Sequence, residues 1–79
     1  MNNDPSIIVY LDTYNRVCVN IKGQINSANV IAATGDGEII YRNSLNRYHT
    51  VLPNRPHAGN YIVYVKNGNR EHLKTLYVP

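Results

Sequence analysis

Between residues 50 and 65 the chain reads Thr-Val-Leu-Pro-Asn-Arg-Pro-His-Ala-Gly-Asn-Tyr-Ile-Val-Tyr-Val. A β-run that stops at Leu52 and Pro53 leads into a proline-rich corner. A Gly59-x-Tyr61 step then opens an alternating apolar run. Small antiparallel sandwiches carry the chain from one sheet to the other in this way, and they place a tyrosine near the start of the later strand whose hydroxyl bonds back to the corner backbone. Tyr61 stands at that position. Leu52, Pro53, Gly59 and Tyr61 are therefore read as a structural corner, one that fixes the fold class without supplying chemistry.

The rest of the chain is a series of short alternating runs with turn residues between them. Ile7, Val9 and Leu11 alternate with Ile8, Tyr10 and Asp12 in a first strand. Val17, Val19 and Ile21 alternate with Cys18, Asn20 and Lys22 in a second, where a one-residue slip would put three branched side chains into water. Asn29–Thr34 is apolar on both faces and reads as a central strand. Gly35-Asp36-Gly37 then turns the chain into Glu38–Arg42, a hairpin spanning 28–42. Residues 43–47 read as a polar connection, and Tyr48–Leu52 as a fifth strand. Tyr61, Val63 and Val65 mark the sixth, Asn67-Gly68 a hairpin turn, and Glu71–Val78 the last. No segment repeats apolar residues at helical spacing behind a cap. Most of the twelve Asn residues fall at expected turns, where Asn tolerates the left-handed region.

Strands of this length and spacing each have one face to bury, and two facing sheets bury both. The expectation is one all-β domain over 1–79, an Ig-like antiparallel β-sandwich of six or seven short strands, with 1–5 disordered. Its expected core is Val9, Val17, Val19, Ile21, Val30, Ile40, Leu52, Tyr61, Val63 and Val65.

With 79 residues the chain is near the lower limit for folding alone, burying roughly 60% of its unfolded surface. Its single cysteine, Cys18, rules out an intrachain disulfide and reads as a small, inert strand residue. No run is long and apolar enough for a membrane-spanning helix. The opening Met-Asn-Asn-Asp-Pro lacks the basic and apolar regions of a signal peptide, so the residues leave two locations open: an exported form whose signal is absent from this chain, or the cytoplasm. The net charge of +3 is uneven: residues 1–41 carry −2 and residues 42–79 carry +5. A basic half can steer an acidic partner; the plainer reading is Lys and Arg guarding edge strands.

Residues suited to catalysis are few, and none is assigned a catalytic role. His49, His57 and His72 lack metal-ligand spacing, so no metal and no cofactor is expected. Asp36 sits where a turn selects Asp for its conformation. Nothing pairs two carboxylates in unequal environments, as acid–base work requires. Gly35-Asp36-Gly37 is too short for a phosphate loop and lacks the following helix and Lys. Ser6, Ser27 and Ser44 have no nucleophile motif around them. The chain reads as a non-enzyme. Seven tyrosines without Phe or Trp are the remaining peculiarity. Tyr41, Tyr48 and Tyr64 with Arg42, Arg47 and Arg55 are the candidate binding residues, a surface able to stack rings and hold acidic groups. Tyr also simply favours strands and core rims.

The segment Asn29-Val-Ile-Ala-Ala-Thr-Gly-Asp-Gly-Glu-Ile-Ile-Tyr41 resembles a hairpin of small Ig-like domains in secreted proteins of Bacteroidetes. Leu52-Pro53 followed by Ala58-Gly-Asn-Tyr-Ile-Val-Tyr-Val65 is similar to their Leu-Pro-x-Gly-x-Tyr-x-Val-x-Val segment, and Pro5–Asp12 to their first strand. The late motif also resembles C-terminal sorting domains of type IX secretion, whose Tyr-Pro-Asn-Pro opening is absent here. The resemblance covers roughly residues 5–78 and implies a non-catalytic structural or interaction module, extracellular or at the cell envelope. Its expected partner is a protein, with strand addition at a sheet edge as one route. The alternative is an acidic polymer, anionic glycan or nucleic acid, held by the basic C-terminal half.

Overall fold

The structure, a computed structural model, describes residues 3–53 and 56–79. Seven strands follow one another: β1 (Ile7–Leu11), β2 (Val17–Ile21), β3 (Ala28–Thr34), β4 (Ile39–Leu45), β5 (His49–Val51), β6 (Gly59–Asn67) and β7 (Arg70–Val78). They form a three-stranded sheet in the order β1-β2-β5 and a four-stranded sheet in the order β4-β3-β6-β7, with every neighbouring pair antiparallel. The chain crosses between the sheets after β2, after β4 and at the corner after β5. This is an all-β Ig-like sandwich.

Alternation sets which side chains meet. Ile7 and Val9 of β1 lie opposite Ile21 and Val19 of β2, and Val30 and Ala32 of β3 lie opposite Val65 and Val63 of β6. All eight are buried, together with Val17, Leu52, Tyr61, Ala28, Leu45, Leu76 and Val78. Each branched side chain so enclosed contributes about 1.5–3 kcal/mol relative to exposure.

Three expectations need correction. Ile40, expected in the core, is 44% exposed. Ala33 pairs with Ile39 while Ala32 pairs with Tyr41, so Ile40 is the extra residue of a β-bulge. The bulge shifts the alternation and gives the inward slot to Tyr41, which packs against the core. Residues 43–45, expected in a polar connection, continue β4, because Leu45 is buried opposite Ala28. The last hairpin turns at Gly68-Asn69, one residue later than expected: Asn67 pairs with Arg70 as the final strand residue, and Gly68 takes φ +61°. Glycine at the first turn position matches a two-residue type II′ loop.

At the start of the chain, Asn3 and Asp4 are bonded to β7. The Asn3 side-chain amide donates to the Leu73 carbonyl (3.0 Å) and its oxygen accepts from the Leu73 N–H (2.9 Å), while the Asp4 N–H donates to the Glu71 carbonyl (2.9 Å). These bonds occupy part of an otherwise open sheet edge. Residues 1–2 lie outside the described residues.

The Gly35–Gly37 turn works as a type I turn closed by a left-handed residue. Gly37 (φ +93°) donates to the Thr34 carbonyl, and the Thr34 N–H donates to the Glu38 carbonyl. Gly35 serves a different purpose. Its N–H donates to the Asn60 carbonyl, and a Cβ there would lie 3.3 Å from the Asn60 Cβ.

Candidate interaction surface

The outer face of the four-stranded sheet is unusually apolar for a solvated sheet face. Cross-strand register sets Arg42, Ile31, Tyr64 and Leu73 in one row, and Ile39, Ala33, Ile62 and Thr75 in the next. Tyr77 lies beyond them, opposite Asn60. Ile39, Leu73 and Tyr77 are 49%, 40% and 65% exposed, and Ile31, Ile62 and Tyr64 are half-buried by their neighbours. Antiparallel sheets normally turn polar residues to water on such a face. Charge lies along one side: Lys66 of β6 opposite Glu71 of β7, with Arg42 on β4. Burial raises the pKa of the Tyr64 phenol above its ordinary value, and the nearby Glu71 carboxylate adds to the shift.

The six candidate binding residues are divided among several places. Arg42 and Tyr64 share the outer face, separated by Ile31. Tyr41 faces inward beside the core, and its hydroxyl accepts from the Asn43 side-chain amide (3.2 Å). Arg47 and Tyr48 lie in the connection between β4 and β5. Tyr48 is 62% exposed, and its carbonyl accepts from the Ile21 N–H. Arg55 lies outside the described residues. Sequence reasoning missed the outward residues Ile31, Ile39, Ile62, Leu73 and Tyr77. Their signal was present in strands apolar on both faces, which also describes a strand at the centre of a sheet.

At the corner, Leu52 is buried, Pro53 is exposed and Gly59 takes φ +140°. The Tyr61 hydroxyl donates to the His57 carbonyl at 2.6 Å, tying the first turn of β6 to the loop before it. Between the corner and β3–β4 an open cleft of about 540 Å³ runs toward the core, lined by Val17, Ala32, Tyr41, Leu52, His57 and Tyr61 among others. Its walls are chiefly apolar.

The histidines lie apart in the fold. His49 of β5 is hydrogen-bonded to the Asn20 side chain, His57 belongs to the corner, and His72 stands on β7. Among the described residues no group of three His, Cys, Asp or Glu side chains is placed to hold a metal. Cys18 is buried, and burial raises its thiol pKa. The Arg16 N–H donates to the Asp12 carboxylate and does most to lower its pKa, with the Arg16 side chain at 2.7 Å and the Tyr14 N–H adding to the effect. This closes the β1–β2 turn. No helix of the described residues is long and apolar enough to cross a membrane.

No protein-family model matches the sequence, and no curated protein matches it. Among solved structures the chain is similar to the rat CD45 extracellular region, domains d3-d4, with a TM-score of 0.61 and 17% sequence identity. The match covers 96% of this chain and 47% of that one, so this chain spans about half the length of the two-domain chain it resembles. A likeness at that identity speaks to the fold, and the fold it shows is an Ig-like β-sandwich.

Proposed function

We propose that this chain is a non-catalytic interaction module, extracellular or at the cell envelope, that binds a protein partner through the outer face of its four-stranded sheet. One observation carries the reading: Ile39, Leu73 and Tyr77 stay 40–65% exposed around half-buried Ile31, Ile62 and Tyr64 on a single sheet face. Contiguous apolar surface of this kind marks interaction sites. The partner implied is a protein surface with an apolar centre and acidic groups toward Arg42 and Lys66. The likeness to an extracellular receptor region and the resemblance to Bacteroidetes secreted Ig-like domains support the placement outside the cell. Strand addition at β4, the end strand of its sheet, is a compatible mode.

Photo-crosslinking in the native host tests this. A photoreactive residue is placed at Leu73 and, separately, at Ile8, which is 37% exposed on the outer side of the other sheet. A discrete protein adduct from position 73, absent from position 8 and abolished by Arg42→Glu, is the expected result. Equal labelling from both positions, or none from 73, overturns the reading. A product of twice the chain's mass assigns the face to a second copy instead.

A second reading, an acidic polymer held by Arg42 and Tyr64, draws on the row that these two of the six candidate residues share. It requires binding whose logarithm falls linearly with the logarithm of salt concentration. Absence of binding to nucleic acid and anionic glycans at low salt removes it.

A further inference from the structure

Asn67 is buried to 3% exposure, alone among the polar residues described. Its Oδ1 accepts from the Asn26 N–H at 2.6 Å, and its Nδ2 donates to the Gln24 carbonyl at 3.0 Å. Both partners lie in the β2–β3 connection, more than forty residues away in the chain. The residue that follows is Gly68, with no side chain to obstruct ring closure onto the Asn67 amide. This is the only Asn-Gly pair in the sequence. The most reactive arrangement for asparagine cyclisation is thus placed where the fold buries the side chain and bonds both of its polar atoms.

We propose that Asn67 is a deamidation site kept closed by the native fold, and that its conversion records and then perpetuates opening of the β6–β7 hairpin end. The reaction needs only water. The Gly68 backbone nitrogen gives up its proton to solvent base and attacks Asn67 Cγ. The N–Cγ bond forms, the Cγ–Nδ2 bond breaks, and ammonia leaves with a proton from solvent. Water then adds to either carbonyl of the succinimide, and ring opening gives aspartate or isoaspartate. In the closed state both polar atoms of the side chain are engaged with Gln24 and Asn26, so the amide is fixed toward the β2–β3 connection. Breaking both bonds is a precondition for attack.

The product does not fit back. Aspartate replaces the donor Nδ2 with an anionic oxygen facing the Gln24 carbonyl, which leaves that carbonyl without its partner and sets two acceptors together. Isoaspartate also lengthens the backbone by one methylene at the last paired residue of β6. Opening is reversible before the reaction, and the product disfavours reclosure after it. The inference is independent of the partner proposed above.

The test is peptide mass mapping of the full chain after incubation in mildly alkaline buffer, with and without urea. In urea, Asn67 is expected to convert faster than Asn43 and Asn26, each followed by serine. In native buffer its conversion should slow by up to ~100-fold, as breaking the two net hydrogen bonds to Gln24 and Asn26 implies. Asn26→Pro removes the N–H that Asn67 Oδ1 accepts. It should raise the native rate ~10-fold, one net hydrogen bond's worth of opening, without changing the rate in urea. Asn67→Asp should melt below the parent chain. Equal rates at Asn67 with and without urea, no preference over Asn43 in urea, or an Asn67→Asp variant that melts with the parent would each overturn the proposal.

Discussion

Removing the Tyr61 hydroxyl tests the corner most directly. Tyr61→Phe keeps the ring, which is 8% exposed and borders Val63 and Leu52 at the cleft, and deletes only the 2.6 Å bond to the His57 carbonyl. A net hydrogen bond contributes roughly 0.5–1.5 kcal/mol, and a buried acceptor left unsatisfied costs about 1–3 kcal/mol. His57 is exposed, so water reaches part of this carbonyl and the cost lies between those two figures, at about 1–2 kcal/mol. A domain of this length has roughly 4–12 kcal/mol to lose. The melting temperature should therefore fall by roughly 4–16 °C. Urea unfolding followed by far-UV circular dichroism should show a lower midpoint at unchanged slope, the sign of lost stability without a changed denatured state. Tyr61→Ala also removes the ring and should cost about 3–5 kcal/mol. Tyr48→Phe, at a tyrosine 62% exposed, should stay within about 0.5 kcal/mol. The reasoning fails if Tyr61→Phe melts with the parent, or if it and Tyr48→Phe are indistinguishable.

The bulge in β4 predicts an asymmetry between two apolar residues that read alike in the sequence. Ile40→Ser should cost under about 1 kcal/mol, whereas Leu52→Ala should cost about 2–5 kcal/mol; equal costs in chemical denaturation would place Ile40 back in the core. The N-terminal clip predicts an acid limit. The Asp4 carboxylate accepts from the Ser6 hydroxyl and N–H and lies 3.9 Å from the Arg70 guanidinium, and these contacts lower its pKa, the Ser6 bonds most. A carboxylate whose pKa is lower folded than unfolded stabilises fully above its unfolded pKa, and that contribution disappears as pH falls through the folded value. Asp4→Asn should therefore reduce the melting temperature at neutral pH and converge with the parent in strong acid; a gap that persists in acid would assign the effect to something other than the charge.

Much of this architecture was legible from side-chain period alone. Val17, Val19 and Ile21 admit one register, and the corner from Leu52 to Tyr61 announces a change of sheet. The departures all arise where a pairing partner overrides a local pattern. Nothing in Glu38-Ile-Ile-Tyr reveals that Ile40 is a bulge residue, because a bulge is a property of two strands. Arg42-Asn-Ser-Leu45 has weak strand preference by itself, and it becomes strand because β3 offers Ala28 opposite Leu45. Asn67-Gly68 signals a turn correctly, yet the distant connection carrying Gln24 and Asn26 captures the Asn67 side chain and moves the turn one residue on. The candidate binding residues were chosen by type. Strand alternation then sends neighbours such as Tyr41 and Arg42 to opposite faces.

The same alternation separates what the fold needs from what it leaves over. On β6, Tyr61, Val63, Val65 and Asn67 point inward and are all buried, while Ile62, Tyr64 and Lys66 point outward. Outward apolar residues have an ordinary use, since cross-strand pairs such as Ile31 with Tyr64 or Tyr64 with Leu73 add roughly 0.2–1 kcal/mol each. That account covers Ile31, Ile62 and Tyr64, which their neighbours half enclose. It is insufficient for Ile39, Leu73 and Tyr77, which keep 40–65% of their surface in water and bury correspondingly little against the sheet. At such positions threonine would serve a strand equally well without exposing apolar surface that invites association. On this face, the three residues that stability explains least are also the most exposed apolar ones, and so would bury the most new apolar area under a partner.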